Sequence, residues 1–375
     1  MKILMLLSNP YIVDPRVSHE ANALVSAGHK VTVIVWDRNH LYPSEATING
    51  VRVVRFHNSW LMRILPHDLL RNPFWWMHAA RKGVELFKNG FDFDVVHCHD
   101  LDTLSSGFFL KKKFNVKLVY DAHEIFGYMI EKDMPSFVVW FSFLMEKKLL
   151  KNVDDIITVD VGYASYFEES SDKPITIIRN CKDIITKEYI PPSNNKFSVV
   201  YIGTLAASRF FPDVLSVFED IEDVQFIIAG KKEGLYDEVE SLAKKLKNVT
   251  FLGTIPVTDV VPLTLKCHVV LCLFDPSIRM NQIGSPNKLF EAMVCGRPII
   301  VTKGTHSGKI VDELQMGLSI DFSEESLKNA VRTLHDDPQL CKTYGRNALK
   351  AGLTEYNWPQ QQKKLLDLYQ KLKSK

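Results

Sequence analysis

The sequence predicts an α/β protein of two doubly wound domains, and three observations carry that prediction. Short apolar runs alternate with amphipathic stretches along nearly the whole chain, the pattern of parallel sheets covered on both faces. The alternation yields two similar strand series, one in each half. Between them, Lys182 to Lys196 carries the run Pro191-Pro192-Ser193-Asn194-Asn195, the best linker in the chain. The expected organisation is a first domain over 1–185, a second over 186–355 and a terminal helix over 356–375.

In the first half the strand candidates are KILMLLS, KVTVIVW, VVHC, KLVYDAH and DIITV. Helical patterns such as Pro15 to Ala27 lie between them. In the second half FSVVYIG, VQFIIAG, NVTFLG, HVVLCLF and PIIVT repeat the alternation. Two such domains facing each other would form a cleft at the carboxyl ends of their sheets, where doubly wound sheets bind ligands. The first loop, SNPYIVDPR, lacks the G-x-G-x-x-G of a tightly held dinucleotide. The matching loop of the second half, GTLAASR, places Gly203 and Thr204 at a strand end and Arg209 at the next helix start. That suits a phosphate at a helix N-terminus. A plain turn with a surface arginine would read the same.

The bulk numbers exclude several classes. Among 375 residues, hydrophobic ones make 46% and charged ones 24%, as in ordinary soluble proteins. A net charge of +2 gives no reason to expect nucleic acid as a partner. The six cysteines form no C-x-x-C pair and sit mostly in apolar runs, so they read as reduced core thiols of a cytoplasmic protein. The apolar start MKILMLLSNP is too short for a signal peptide, and no run of about 20 apolar residues exists to span a membrane.

The stretch GSPNKLFEAMVCGRPII, from Gly284 to Ile300, reads as a short helix leading into a buried strand. Ser285 is a good N-cap, Pro286 fits the first helical position, and Gly296 with Pro298 ends the helix. Its N-terminus would offer free N–H groups and partial positive charge to an anion, with Lys288 adding a full charge. Gly284 would allow close approach of a ligand, and Glu291, one turn on, could accept hydrogen bonds from a ribose or sugar diol. With Arg209 these groups could hold a diphosphate and stabilise it as it leaves, without a metal. A solvent-exposed Lys288–Glu291 pair is the competing reading, contributing a few tenths of a kcal/mol, ~0.2–0.5.

This segment resembles the donor site of family 4 glycosyltransferases, which have the GT-B fold of two Rossmann-like domains. In that family a Glu-x7-Glu motif lies here, and its second glutamate binds the nucleotide ribose. Glu291 matches that position, while Ile283 stands where the first glutamate would be. The SPNKLFE form resembles a branch that lacks it, often acting in polysaccharide or lipid-linked glycan assembly. Thr204 stands where many members carry an arginine, and Arg209 falls at their lysine position. DPRVSHEANALVSAGHKVTVI, DVVHCHD, YDAHE, FIIAGKKEG, NVTFLGTIP and the helix start at Asn357 extend the likeness over the whole chain.

The resemblance implies a retaining, metal-independent transferase using a nucleoside diphosphate sugar, UDP- or GDP-linked, with no other cofactor. It implies a donor site of Gly203, Thr204, Arg209, Gly284, Ser285, Pro286, Asn287, Lys288, Leu289 and Glu291. It makes His99 the active-site histidine, with Arg209 and Lys288 stabilising the leaving group. It also implies that the last helix packs back on the first domain. A sugar-nucleotide epimerase of the same architecture, or a non-catalytic nucleotide-sugar-binding subunit, would carry the same residues.

The acceptor is expected on the first domain, near Arg16, His99, Asp100, His123 and Glu124. His99 follows VVHC and would stand at the cleft to bind a sugar hydroxyl, unless Asp100 or backbone satisfies it. His123 and Glu124 end KLVYDA as acceptor contacts or as a helix cap and its neighbour. Arg16 reads either as a phosphate ligand or as a surface residue. Asp92-Phe93-Asp94 and Asp100-Leu101-Asp102 imitate a metal-binding pair, but Arg209 and Lys288 already answer the charge of a diphosphate.

Two stretches mix aromatic and basic residues: Trp60 to Gly83, with Phe74, Trp75 and Trp76, and Phe137 to Asn152. They read either as core faces flanked by solvated charge or as peripheral contacts at the inner face of a membrane, giving access to a lipid-linked acceptor.

Overall fold

The structure is a computed structural model that describes residues 1–12, 14–65 and 68–374. Val13 of the first loop, Pro66 and His67 of the first aromatic-basic stretch, and Lys375 lie outside the described residues. The chain divides into two compact units, one of 1–179 with 362–375 and one of 180–361.

The first unit is built on β1 (Lys2–Leu7), β2 (Lys30–Asp37), β3 (Glu45–Ile48), β4 (Val51–His57), β5 (Val95–His99), β6 (Lys117–Ala122), β7 (Asp155–Thr158) and β8 (Ile175–Ile177). They form one sheet in the order β3-β4-β2-β1-β5-β6-β7-β8, with only β3 antiparallel to its neighbour. Apolar residues point to both faces of β1, β2 and β5, so these strands are buried nearly throughout. Asp14 caps the helix Pro15–Ser26 by accepting from the Val17 N–H at 3.2 Å, and Pro15 supplies a preset φ at its first position.

The β3–β4 hairpin is absent from the sequence reading. Its turn is Asn49-Gly50, both at positive φ, between the paired Ile48 and Val51. Such a turn matches the right-handed twist of two antiparallel strands. β8 was missed as well, being a three-residue strand.

The second unit contains β9 (Ser198–Ile202), β10 (Gln225–Ala229), β11 (Val249–Phe251), β12 (Val269–Cys272), β13 (Ile299–Thr302) and β14 (Gly317–Ile320). Their order is β11-β10-β9-β12-β13-β14, all parallel. β14, whose four residues are mostly half-buried, also escaped the sequence reading. Both sheets are therefore doubly wound, as the alternation predicts. In each, the strand order reverses beside the first strand of the unit, between β1 and β5 and between β9 and β12. Ligand-binding loops belong at the carboxyl ends of those strands.

All six cysteines are buried and free. Among the described residues no helix is long and apolar enough to cross a membrane. The last helix runs from Trp358 to Ser374, and its residues from Gln362 onward belong to the first unit.

Candidate active site

In the second unit, three segments converge at the strand-order reversal. The loop after β9 carries Gly203 and a short 3-10 turn, Ala207–Arg209. The loop after β12 carries Phe274 and Asp275. The helix Asn287–Cys295 starts at the same sheet end, because it precedes β13. Arg209 ties the first two together. Its guanidinium stacks 3.6 Å from the Phe274 ring centroid and donates to Asn281 Oδ1 at 3.0 Å.

Arg209 does not stand at the start of an α-helix. The next one, Val214–Glu219, begins beyond a left-handed Phe210 and is six residues long. The helix that starts at this sheet end is the one at Asn287.

The Lys288 ammonium lies 4.6 Å from the Tyr201 ring centroid, and a Cβ on Gly203 would stand 2.5 Å from it. A side chain at 203 would therefore displace the ammonium. Among the described residues Lys288 Nζ makes no hydrogen bond or ion pair, and burial lowers its pKa below the usual lysine value. Tyr201 donates its hydroxyl hydrogen to the carbonyl of the exposed Thr204 at 2.5 Å.

Three expectations for this helix are corrected. Pro286, not Ser285, occupies the N-cap, and it makes no side-chain capping bond. Proline followed by asparagine moves the helix start one residue on. Ser285 Oγ is left buried and, among the described residues, without a hydrogen-bond partner. The exposed Lys288–Glu291 pair does not form either. Lys288 turns to Gly203 and Tyr201, and Glu291 pairs with Lys182 at 3.3 Å. Gly284 lies at the end of the preceding short helix, where its carbonyl accepts from Ser307 Oγ at 3.4 Å. Asn287 is exposed, whereas Leu289 is a fully buried residue of the apolar core.

In the first unit, the ends of β5 and β6 bring His97, His99, Asp100, Asp121 and His123 together. Asp121 is the hub. Its carboxylate accepts from Arg16 Nη2 at 2.8 Å, from His123 Nε2 at 3.0 Å and stands 3.1 Å from His99 Nδ1. Burial alone would raise the Asp121 pKa, but Arg16 and then His123 hold it well below the carboxylate range. Glu20, 3.2 Å from Arg16, competes for the same guanidinium. Burial and the Asp121 charge push Glu20 up to about 8, so Asp121 keeps the charge and Glu20 the proton.

Two sequence expectations fail here. Arg16 is neither a surface residue nor open to a ligand, since its buried guanidinium is spent on Asp121, Glu20 and the Ile178 carbonyl. His99 exposes no surface, because it ends a central strand and is covered by His97 and His123. Burial holds its pKa down at about 3, and among the described residues its Nε2 has no hydrogen-bond partner.

The groups that reach solvent are Asp100, His123 and Glu124. His123 lies between two carboxylates, 3.5 Å from Asp100 and 3.0 Å from Asp121. Burial opposes its charge, but the two carboxylates raise its pKa to about 10. Asp100 adopts φ 61°, ψ 166°, a region that non-glycine residues rarely occupy, and accepts the His123 N–H at 3.0 Å. The other acidic triplet, Asp92 and Asp94, lies at the opposite sheet end, where Asp94 accepts from the Lys2 N–H at 2.7 Å. It shares no site with these residues.

Residues 16–184 match the family model described as Glycosyltransferase Family 4, and residues 196–337 match that described as Glycosyl transferases group 1. The chain is a GT-B glycosyltransferase.

This glycosyltransferase is 22% identical over 344 residues to an uncharacterized glycosyltransferase of Methanocaldococcus jannaschii, spanning 86% of this chain and 85% of that protein. Its fold is similar to sucrose-phosphate synthase from Thermosynechococcus elongatus, with a TM-score of 0.81, 16% identity and full coverage of both chains. It is also similar to Anabaena HepE solved in complex with UDP-glucose, at a TM-score of 0.73 and 16% identity, covering 99% of this chain and 100% of that one.

Proposed function

We propose that this glycosyltransferase moves a sugar from a nucleoside diphosphate sugar to a glycan or lipid-linked acceptor, with retention at the anomeric carbon. One observation carries the reading: an unpaired ammonium, Lys288, lies over a side-chain-free Gly203 at the strand-order reversal of the second unit. An unpaired, partly desolvated cation is costly unless an anion answers it.

In this reading Arg209, Lys288, the Ser285 hydroxyl and the N–H groups that follow Gly284 hold the diphosphate. Glu291 accepts from the ribose, and Thr204 borders the sugar. The C1–O bond to the diphosphate breaks as the bond from C1 to the acceptor oxygen forms on the same face. The acceptor proton passes to the departing phosphate oxygen. Arg209 and Lys288 stabilise the charge that develops there, so the residues themselves supply what a divalent ion would. The Anabaena neighbour's UDP-glucose complex supports a uridine donor, with GDP as the next to test.

On the first unit, Asp100, His123 and Glu124 are the acceptor contacts. His99 and Arg16 act through His123, by fixing Asp121. A histidine held between two carboxylates is a poor base, so His123 orients a hydroxyl instead of deprotonating it.

A thermal-shift panel of UDP, GDP, ADP, CMP and their sugar derivatives, with and without magnesium, tests the donor site. Ligand at 100 times its dissociation constant should add about 2.7 kcal/mol. A rise with UDP in the absence of magnesium supports the reading. No rise with any nucleotide overturns it, and a strict magnesium requirement overturns the metal-free part. An acceptor product with inverted anomeric configuration by NMR would remove retention.

A further inference from the structure

The helix Ser136–Leu150 is apolar on two faces. Its inner face, with Val138, Val139, Leu149 and Leu150, packs on the first unit, and Glu146 on that side bonds to Tyr120 and Tyr166. Its outer face begins with Phe137, Trp140, Phe141 and Leu144, which are 72%, 65%, 56% and 48% exposed. These are positions i, i+3, i+4 and i+7, one continuous stripe. The same face continues into Lys147, Lys148 and Lys151, all exposed. It carries no carboxylate along the helix. Glu131 and Asp133 lie in the turn before it, on either side of Lys132.

A helix that is apolar all round is normally enclosed, and this one lies on a surface. In the first aromatic-basic stretch Trp75 is fully buried and stacks on Trp36, while Trp60 and Ile64 are 75% and 66% exposed.

We infer that this outer face docks on an anionic membrane surface, with the aromatic stripe entering the headgroup layer and the lysines pairing with lipid phosphates. Three features favour lipid. Trp and Phe followed by lysines, without acids, match a layer that is apolar beneath and negative above. Four half-exposed side chains offer on the order of 400–500 Å². That is short of the roughly 800 Å² per partner of a stable protein interface. Finally, the chain leaves β6 through His123 and enters this helix at Ser136, so the aromatic end lies at the sheet end that holds the acceptor contacts. The inference deepens the acceptor reading above by making the acceptor lipid-borne.

The test is flotation of the full-length protein with vesicles of phosphatidylcholine alone and of phosphatidylcholine with 30% phosphatidylglycerol, the composition being an experimental choice. Binding to the anionic vesicles should exceed binding to the neutral ones about tenfold or more and weaken as salt is raised. Trp140→Ser with Phe141→Ser should abolish it, and Lys147→Glu with Lys148→Glu should remove the preference for anionic lipid. These side chains are exposed, so circular dichroism melting should be unchanged. Absence of wild-type binding, or binding that survives both double variants, overturns the inference. So does a dimer in light scattering that Trp140→Ser with Phe141→Ser dissociates, because a second copy would then cover the stripe. Nucleotide thermal shift does not depend on this helix, so its result judges the donor site separately.

Discussion

The ammonium of Lys288 occupies the space beside Gly203 that any other residue would need, 2.5 Å from where a Cβ would stand. The two residues are distant in sequence, and β9 with the helix Asn287–Cys295 brings them together. Gly203→Ala should therefore push the ammonium off its place. The colliding atom is the far end of a flexible side chain, but Gly203 also holds φ 158°, which a residue with a side chain rarely adopts, so a stability cost of about 1–3 kcal/mol should accompany the change. Donor affinity should fall by about 1.5–3 kcal/mol, roughly 10- to 150-fold, as for a lost charged hydrogen bond. Isothermal titration with UDP and a melting curve check both halves. Unchanged affinity in the folded variant would show that Lys288 holds no phosphate.

Glu291 has two readings that mutation separates. Among the described residues its ion-pair partner is Lys182, at 3.3 Å, and both side chains are partly exposed. Such a pair contributes about 0–1 kcal/mol. If Glu291 also holds the ribose, Glu291→Ala should weaken nucleotide binding by about 1.5–3 kcal/mol, whereas Lys182→Ala should leave it nearly unchanged. Equal affinities for wild type and Glu291→Ala would reduce Glu291 to a partner of Lys182.

The Glu20–Asp121 competition makes a pH prediction. Glu20 titrates near its ordinary value when unfolded and at about 8 when folded. Between those values the folded state holds a proton that the unfolded state has lost, so this residue's contribution to stability falls as pH rises. Gln cannot titrate and resembles the protonated acid. Glu20→Gln should thus gain stability relative to wild type from about pH 4.5 to 8 and level off above. Urea midpoints at pH 5 and pH 8 check it. A gain that shrinks with rising pH would mean that Glu20 is ionised in the folded protein.

Most of the sheet framework was legible because buried parallel strands are written as apolar runs. KILMLLS, FSVVYIG and PIIVT each became a central strand. The missed strands are short or at the margins, except β4, whose signal was the Asn49-Gly50 turn. The residues proposed to hold the donor were legible in kind, since glycine, lysine and glutamate around a framed helix suggest an anion site. The seat of Lys288 over Gly203 was not, because it depends on two distant segments meeting. The cluster at the ends of β5 and β6 was legible as a cluster but not in depth. Nothing local distinguishes His99, which ends a central strand inside the sheet, from His123, which lies just beyond the end of the next strand. Likewise Arg16 looks like any helix-start arginine until Asp121, on another strand, is placed beside it.

Asp100 joins a strained backbone to the proposed acceptor contacts. Its φ of 61° with ψ of 166° belongs to a region that glycine enters freely and other residues enter at about 1–3 kcal/mol. Its carboxylate repays part of that by accepting the His123 N–H at 3.0 Å and by flanking the imidazole at 3.5 Å. In Asp100→Gly the relieved strain and the lost hydrogen bond, about 1 kcal/mol, should nearly cancel. The melting temperature should then move by only a few degrees. If the residue serves only to end β5, turnover should survive with stability. If it holds an acceptor hydroxyl, acceptor-dependent transfer should drop about tenfold or more while the UDP thermal shift stays at the wild-type value. A variant that loses nucleotide binding as well would place Asp100 on the donor side instead.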